Sequence, residues 1–215
     1  MNIVPNKEWL LTFAVDREDG TTVAFASVID SAARHAIQPP NLNMGLSLAA
    51  YNALLDRYFP GASLALALAC EKTDEQAGEE CGTAIRTEEF ADLVELLLEH
   101  RVDEQEQTEW VAYAIASGCM GTDHLYHDMG LPNREPVSRL LSTYFPALFA
   151  KNEGARMKWK KFLYKQLCDR AEVKACAAPT CQQCDHYTAC FGPEDETGLG
   201  VLSQISGRAP VAADA

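Results

Sequence analysis

Apolar residues recur three and four positions apart through nearly all of this 215-residue chain, and strict alternation is rare, so the sequence suits packed helices rather than a sheet. Hard stops divide the pattern: Pro39-Pro40, Pro60-Gly61, Gly130 and Pro146 do not readily continue a helix. Between these stops the periodicity predicts helices over Thr22–Ile37, Ser47–Tyr58, Thr87–His100, Glu106–Cys119, Arg134–Tyr144 and Ala155–Leu167. The expected fold is mostly α, a compact helical domain over residues 1–192 with a C-terminal cysteine-rich metal-binding loop at 176–190. Residues 193–215 are small, polar and rich in breakers, and read as a flexible tail.

The chain also resembles itself. "MGLSLAAYNALLDRYFP" at Met44 to Pro60 and "MGLPNREPVSRLLSTYFP" at Met129 to Pro146 share Met-Gly-Leu, Leu-Leu and Tyr-Phe-Pro. Two readings stay open: a chance likeness of two amphipathic helices, or two similar helical halves at about 22–70 and 87–168 packed together. The acidic, Gly-containing stretch Glu71 to Gly82 reads as a mobile linker between them.

Charge and hydropathy exclude several classes. A net charge of -13 argues against a nucleic-acid binder, because no broad basic surface for phosphates is in view. The first thirty residues lack a basic start with an apolar core, so no signal peptide is expected. The longest nearly unbroken apolar run, Ala62 to Cys70, is about half the length of a membrane span. A cytoplasmic protein is expected, in which thiols stay reduced and eight cysteines are read as metal ligands, reactive groups or small core residues. One region departs from the acidic whole: Lys151 to Lys174 carries eight Lys or Arg against Glu153, Asp169 and Glu172. Its helix "MKWKKFLYKQLC" sets Trp159, Phe162, Leu163 and Leu167 on one face and Lys158, Lys161 and Lys165 on another.

Directly after that helix, "CAAPTCQQCDHYTACFG" places four cysteines within fifteen residues, as Cys176-x4-Cys181-x2-Cys184-x5-Cys190. Thiolates suit zinc, copper(I) or iron–sulfur clusters far better than magnesium or calcium. Structural zinc sites usually join two Cys-x2-Cys turns through a long segment, and only one such turn is present. Short, unequal spacers fit a loop wrapped around a cubane, and the first three positions match the C-x4-C-x2-C opening of plant-type ferredoxins. An iron–sulfur site is the favoured reading and zinc the alternative. Cys168, eight residues before the loop, is a candidate fifth ligand or neighbour. In "CMGTDHLYHDMGL", Cys119, His124 and His127 are candidates for a second metal contact, set against a capped turn with surface imidazoles. Cys70 and Cys81 flank the linker and read as incidental.

At "CAAPTCQQCDHYTACFGPE", at "MKWKKFLYKQLC" and more loosely at "GCMGTDHLYHDMGLPNREPVSRLLSTYFPALFAKN", the chain resembles the NifQ family, molybdenum donors of nitrogen fixation. The resemblance implies a carrier rather than an enzyme. It implies an iron–sulfur cluster, 4Fe-4S or Mo-3Fe-4S, molybdenum as cargo from molybdate or a molybdenum–sulfur source, and delivery to the NifEN scaffold with the NifH iron protein involved. By position it makes Cys176, Cys181, Cys184 and Cys190 the cluster ligands. Cys119, His124 and Cys168 fall at positions typical of the family without a settled role, and the family more usually has Trp-Gln at Tyr126-His127. Molybdenum must leave a carrier, so Cys190 or a neighbour is expected to coordinate more weakly than the Cys181-Cys184 pair. The rival readings are an iron–sulfur electron-transfer module and a zinc-stabilised interaction domain. No nucleotide loop or nucleophile–base constellation points to an enzyme.

Overall fold

The computed structural model describes residues 6–34, 43–70, 88–153, 156–172 and 187–192, and every regular element among them is helical. α1 spans Lys7–Thr12, α2 Gly20–Arg34, α3 Leu48–Tyr58, α4 Ala62–Cys70, α5 Glu88–Glu99 and α6 Glu106–Cys119. α7 is the single turn Leu125–Asp128, followed by α8 Arg134–Tyr144, α9 Pro146–Lys151, α10 Trp159–Arg170 and α11 Tyr187–Phe191. The expectation of a mostly α fold holds for the described residues. The expected linker at 71–82, the cysteine loop up to residue 186 and the tail at 193–215 lie outside the described residues.

α2 and α6 pack against each other at the centre and bury most of their length, Thr21 to Ser31 save Val23 in one and Trp110 to Cys119 in the other. Ala24 and Ala26 in α2, and Ala112, Ala114 and Ala116 in α6, are all buried, and such small side chains let helix axes approach closely. α1 covers α2, α5 covers α6, α8 touches both central helices, and α10 lies on α5.

The two similar sequence stretches match at their glycines and at their closing phenylalanines but not at their methionines, where Met44 has φ 56° and Met129 φ -79°. Met44 and Met129 are fully buried, and the glycines after them, Gly45 and Gly130, have φ of 79° and 68°, a left-handed conformation that glycine adopts without steric cost. α3 and α8 are both eleven residues long and bury their Leu-Leu pairs, Leu54-Leu55 and Leu140-Leu141. Both end on a buried phenylalanine, Phe59 at φ -134°, ψ 59° and Phe145 at φ -134°, ψ 55°. Each Phe N–H bonds the leucine carbonyl four residues back, at 2.7 and 2.9 Å.

Three departures from the sequence pattern have local causes. Pro146 stops α8, as expected, and then starts α9, because its missing N–H and fixed φ suit a first helical position. The apolar run at Ala62–Cys70 is a helix, α4, although its lack of a polar face gave no periodicity to read. The last predicted helix, Ala155–Leu167, is displaced to Trp159–Arg170. Buried Asn152 explains the shift: its Oδ1 accepts from Met157 N–H at 2.8 Å and its Nδ2 donates to Met157 C=O at 2.9 Å. Two side-chain bonds to the backbone of one residue outcompete a turn of helix there.

Candidate functional site

α10 is joined to its surroundings along its whole length. At its start, Lys158 N–H donates to the backbone carbonyl of Cys190 at 2.9 Å, and Trp159 Nε1 donates to Ser138 Oγ at 2.8 Å. At mid-helix the Tyr164 hydroxyl bonds Cys119 C=O at 3.2 Å and also the Glu89 carboxylate. Burial and the Glu89 carboxylate both push the Tyr164 phenol up, so it stays a protonated donor. At the far end Arg170 pairs with Glu95 at 2.6 Å and Glu99 at 3.0 Å, which fastens α10 to α5.

Lys160 points inward rather than to solvent. Its side chain is only 6% exposed and forms an ion pair with the 10% exposed Asp128, while Nζ also donates to Gly121 C=O at 3.2 Å. Asp128 Oδ2 accepts in addition from Asp123 N–H at 2.9 Å, so this buried carboxylate is bound from two sides. A Cβ on Gly121 would lie 2.3 Å from the Asp128 carboxyl carbon, so only glycine lets the carboxylate enter. The pair thus closes the turn from Gly121 to Asp128 and ties it to α10.

That turn carries both histidine candidates. His124 is the N-terminal cap of α7 in extended backbone, and its ring stacks on Tyr126 at 5.8 Å. His127 lies on the exposed side with Nδ1 3.0 Å from Asp123 Oδ2. Asp123 also accepts from His124 N–H at 2.8 Å through its other oxygen, so one carboxylate organises both.

The cysteine candidates are distributed differently. Cys119, the last residue of α6, is 2% exposed and packed in the core, and burial pushes its thiol up to about 12 against the opposing pull of Lys160. Cys168 is half-buried near the C-terminal end of α10. Cys190 is half-buried on α11, which packs back against the start of α10, so roughly 15 Å of helix rise separates Lys158, its partner, from Cys168. Cys190 and Phe191 pack on the core, the Tyr187 and Phe191 rings stack at 4.6 Å, and Arg156, paired with Glu153 at 2.7 Å, lies beside the Tyr187 hydroxyl. Cys176, Cys181 and Cys184 lie outside the described residues, as does Cys81. Among the described residues no three His, Cys, Asp or Glu side chains gather closely enough to hold a metal ion.

Sequence reasoning did not single out Lys160, Asp128, Asp123 or Tyr164. A signal existed: Lys160 stands three residues before Leu163 and four before Tyr164, on the side of the helix that carries its apolar residues.

Helical core, basic strut and the short helix that carries Cys190 together define, among the described residues, an all-α scaffold with Cys190 at the start of a basic helix. The NifQ family profile matches residues 24–192. Protein NifQ of Azotobacter vinelandii is 37% identical over 159 residues, covering 71% of this chain and 78% of that protein. Protein NifQ of Rhodobacter capsulatus is 35% identical, covering 73% of this chain and 79% of its own length, and the Sinorhizobium fredii NifQ homolog is 32% identical, covering 77% and 67%. No solved structure matches the chain. The chain belongs to the NifQ family, which implies a role in nitrogen fixation.

Proposed function

We propose that this protein carries an iron–sulfur cluster of the 4Fe-4S or Mo-3Fe-4S kind, takes up molybdenum as cargo and delivers it for assembly of nitrogenase's iron–molybdenum cofactor. The observation that carries the reading is the Cys176, Cys181, Cys184, Cys190 pattern within the family-matched stretch, its last member half-buried against the basic helix. These four thiols would hold the cluster, and the donor set fits it, because four soft sulfurs suit iron and sulfide. When bound, the cluster offers molybdenum a sulfide face that an all-oxygen site lacks.

This chain's own residues do the rest. α10 presents Lys158 and Lys161 near its N-terminal end, where the helix dipole is also positive, so molybdate and an anionic cluster are both attracted there. Cys119 takes a core role in this account, since its side chain is packed among the apolar residues of the core. Cys168, on α10, and His124 and His127, on the turn that Lys160 ties to α10, are not assigned to the cluster in this reading. NifEN and NifH are the proposed partners, and molybdate or a molybdenum–sulfur species the proposed source.

Loading the protein with labelled molybdenum and mixing it with NifEN, NifH and reductant tests the delivery step. Label should move to the scaffold and be lost from this chain. Label that stays on the chain, together with reversible one-electron reduction, would instead favour the electron-transfer module.

A further inference from the structure

The likeness of the two halves extends beyond the stretches from Met-Gly-Leu to Tyr-Phe-Pro. Val15 donates its N–H to Tyr58 C=O at 3.2 Å, and Val102 donates its N–H to Tyr144 C=O at 2.9 Å. The aspartates that follow act alike, Asp16 Oδ1 accepting from Glu18 N–H at 2.9 Å and Asp103 Oδ1 from Gln105 N–H at 3.1 Å. Ahead of each valine stands a leucine pair whose first member is fully buried, Leu10-Leu11 in α1 and Leu97-Leu98 in α5. α1 packs on α2 as α5 packs on α6. The helices α1 and α5 are therefore counterparts, with Glu8 at the position of Glu95 and Trp9 at that of Leu96. Likewise α3 and α8 align from their first residues, Leu48 and Arg134, to Tyr58 and Tyr144.

On the second half these positions serve one helix. α10 lies on α5, where Arg170 pairs with Glu95 and Glu99 and the adjacent Leu96 is 3% exposed, and at its other end Trp159 lies against Arg134 at 5.7 Å. On the first half Glu8 is exposed, Trp9 is half-buried and Leu48 is 64% exposed. A lone exposed leucine is ordinary, but here exposure falls on the positions whose counterparts a helix covers.

We propose that the face of Glu8, Trp9 and Leu48 docks a cationic amphipathic helix of a partner protein, in the place on the first half that α10 takes on the second. Charge complementarity fixes the chemistry of the occupant. A glutamate at the position that receives Arg170 calls for Arg or Lys, Trp9 and Leu48 call for an apolar stripe on the same helix, and a chain of net charge -13 draws cationic partners and repels acidic ones. This goes beyond the carrier reading and does not depend on it.

α10 itself supplies the probe: a fluorescein-labelled peptide of Met157 to Arg170 carrying Trp159→Phe and Cys168→Ser, titrated into the full chain. Its anisotropy should rise saturably while Trp9 becomes shielded from acrylamide, a selective readout because Trp110 and Trp159 of the chain are 3% and 2% exposed. Leu48→Asp should weaken binding about tenfold, the weight of one buried leucine side chain. Glu8→Arg should weaken it about two- to fivefold, the weight of an exposed ion pair, and Arg170→Glu in the peptide should restore it. Both substitutions fall on exposed side chains, and urea unfolding of each variant checks that the fold is kept. No saturable rise, or binding indifferent to Leu48→Asp and Glu8→Arg, would overturn the proposal; indifference joined to weakening by Glu99→Arg would mean that the peptide exchanges with α10 on α5. Shielding of Trp9 that grows with chain concentration in the absence of peptide would overturn it in favour of a second copy of the chain. Trp9 shielded at every concentration with no peptide bound would overturn it in favour of the chain's own residues.

Discussion

At the scale of single residues, the buried Lys160–Asp128 pair is the most consequential arrangement in the described structure. Removing one partner strands the other's charge in the core, so Lys160→Met is expected to cost about 3–5 kcal/mol in urea unfolding, and the double variant with Asp128→Leu to recover much of it. A double variant as unstable as the single one would show that the pair does not act as a unit. Cys119 gives a second test, through pH. Its thiol sits at about 12 in the folded chain against an ordinary 9.0, so the native state binds the proton more tightly. The corresponding stability is complete below about pH 9 and is lost as pH rises from there towards 12, because the unfolded chain ionises first. The melting temperature of metal-free protein should therefore fall more steeply over that range than that of Cys119→Ala, and parallel curves would contradict a buried neutral thiol.

At the scale of elements, the helices that could be read were those in which apolar and polar residues alternate at helical spacing between clear stops. α6 and α8 run from Glu106 to Cys119 and from Arg134 to Tyr144, as their periodicity predicts. α4 offered no such contrast and α7, α9 and α11 are too short to show a period. The start of α10 was illegible for a different reason: it depends on Asn152, outside the helix, gripping the N–H and C=O of Met157 through its side chain. Asn152→Ala should cost about 1–3 kcal/mol and raise the hydrogen-exchange rate at Met157, whereas unchanged exchange there would mean something else sets the helix start. The Met-Gly-Leu and Tyr-Phe-Pro likeness, by contrast, was visible as letters and corresponds to matching dihedrals at Phe59 and Phe145. Similar residues were enough there because both stretches solve one local problem, a left-handed glycine before a helix and a buried aromatic after it.

At the scale of the whole molecule, the candidate site was legible only in part. Four cysteines at short spacing can be seen in any listing of the residues, and so can the basic helix before them. That α11 returns to the start of that helix, and that Lys160 ties the histidine turn to its other side, are long-range facts with no local sequence mark. No helix among the described residues is long and apolar enough to cross a membrane. A helical scaffold of the NifQ family with four closely spaced thiols leads to one central claim, that the chain is a carrier of iron, sulfide and molybdenum. Anaerobic purification followed by metal and sulfide analysis tests it most directly. The account predicts a brown protein containing iron and acid-labile sulfide that gains molybdenum when molybdate is supplied; a colourless protein with stoichiometric zinc and neither iron nor labile sulfide would contradict it.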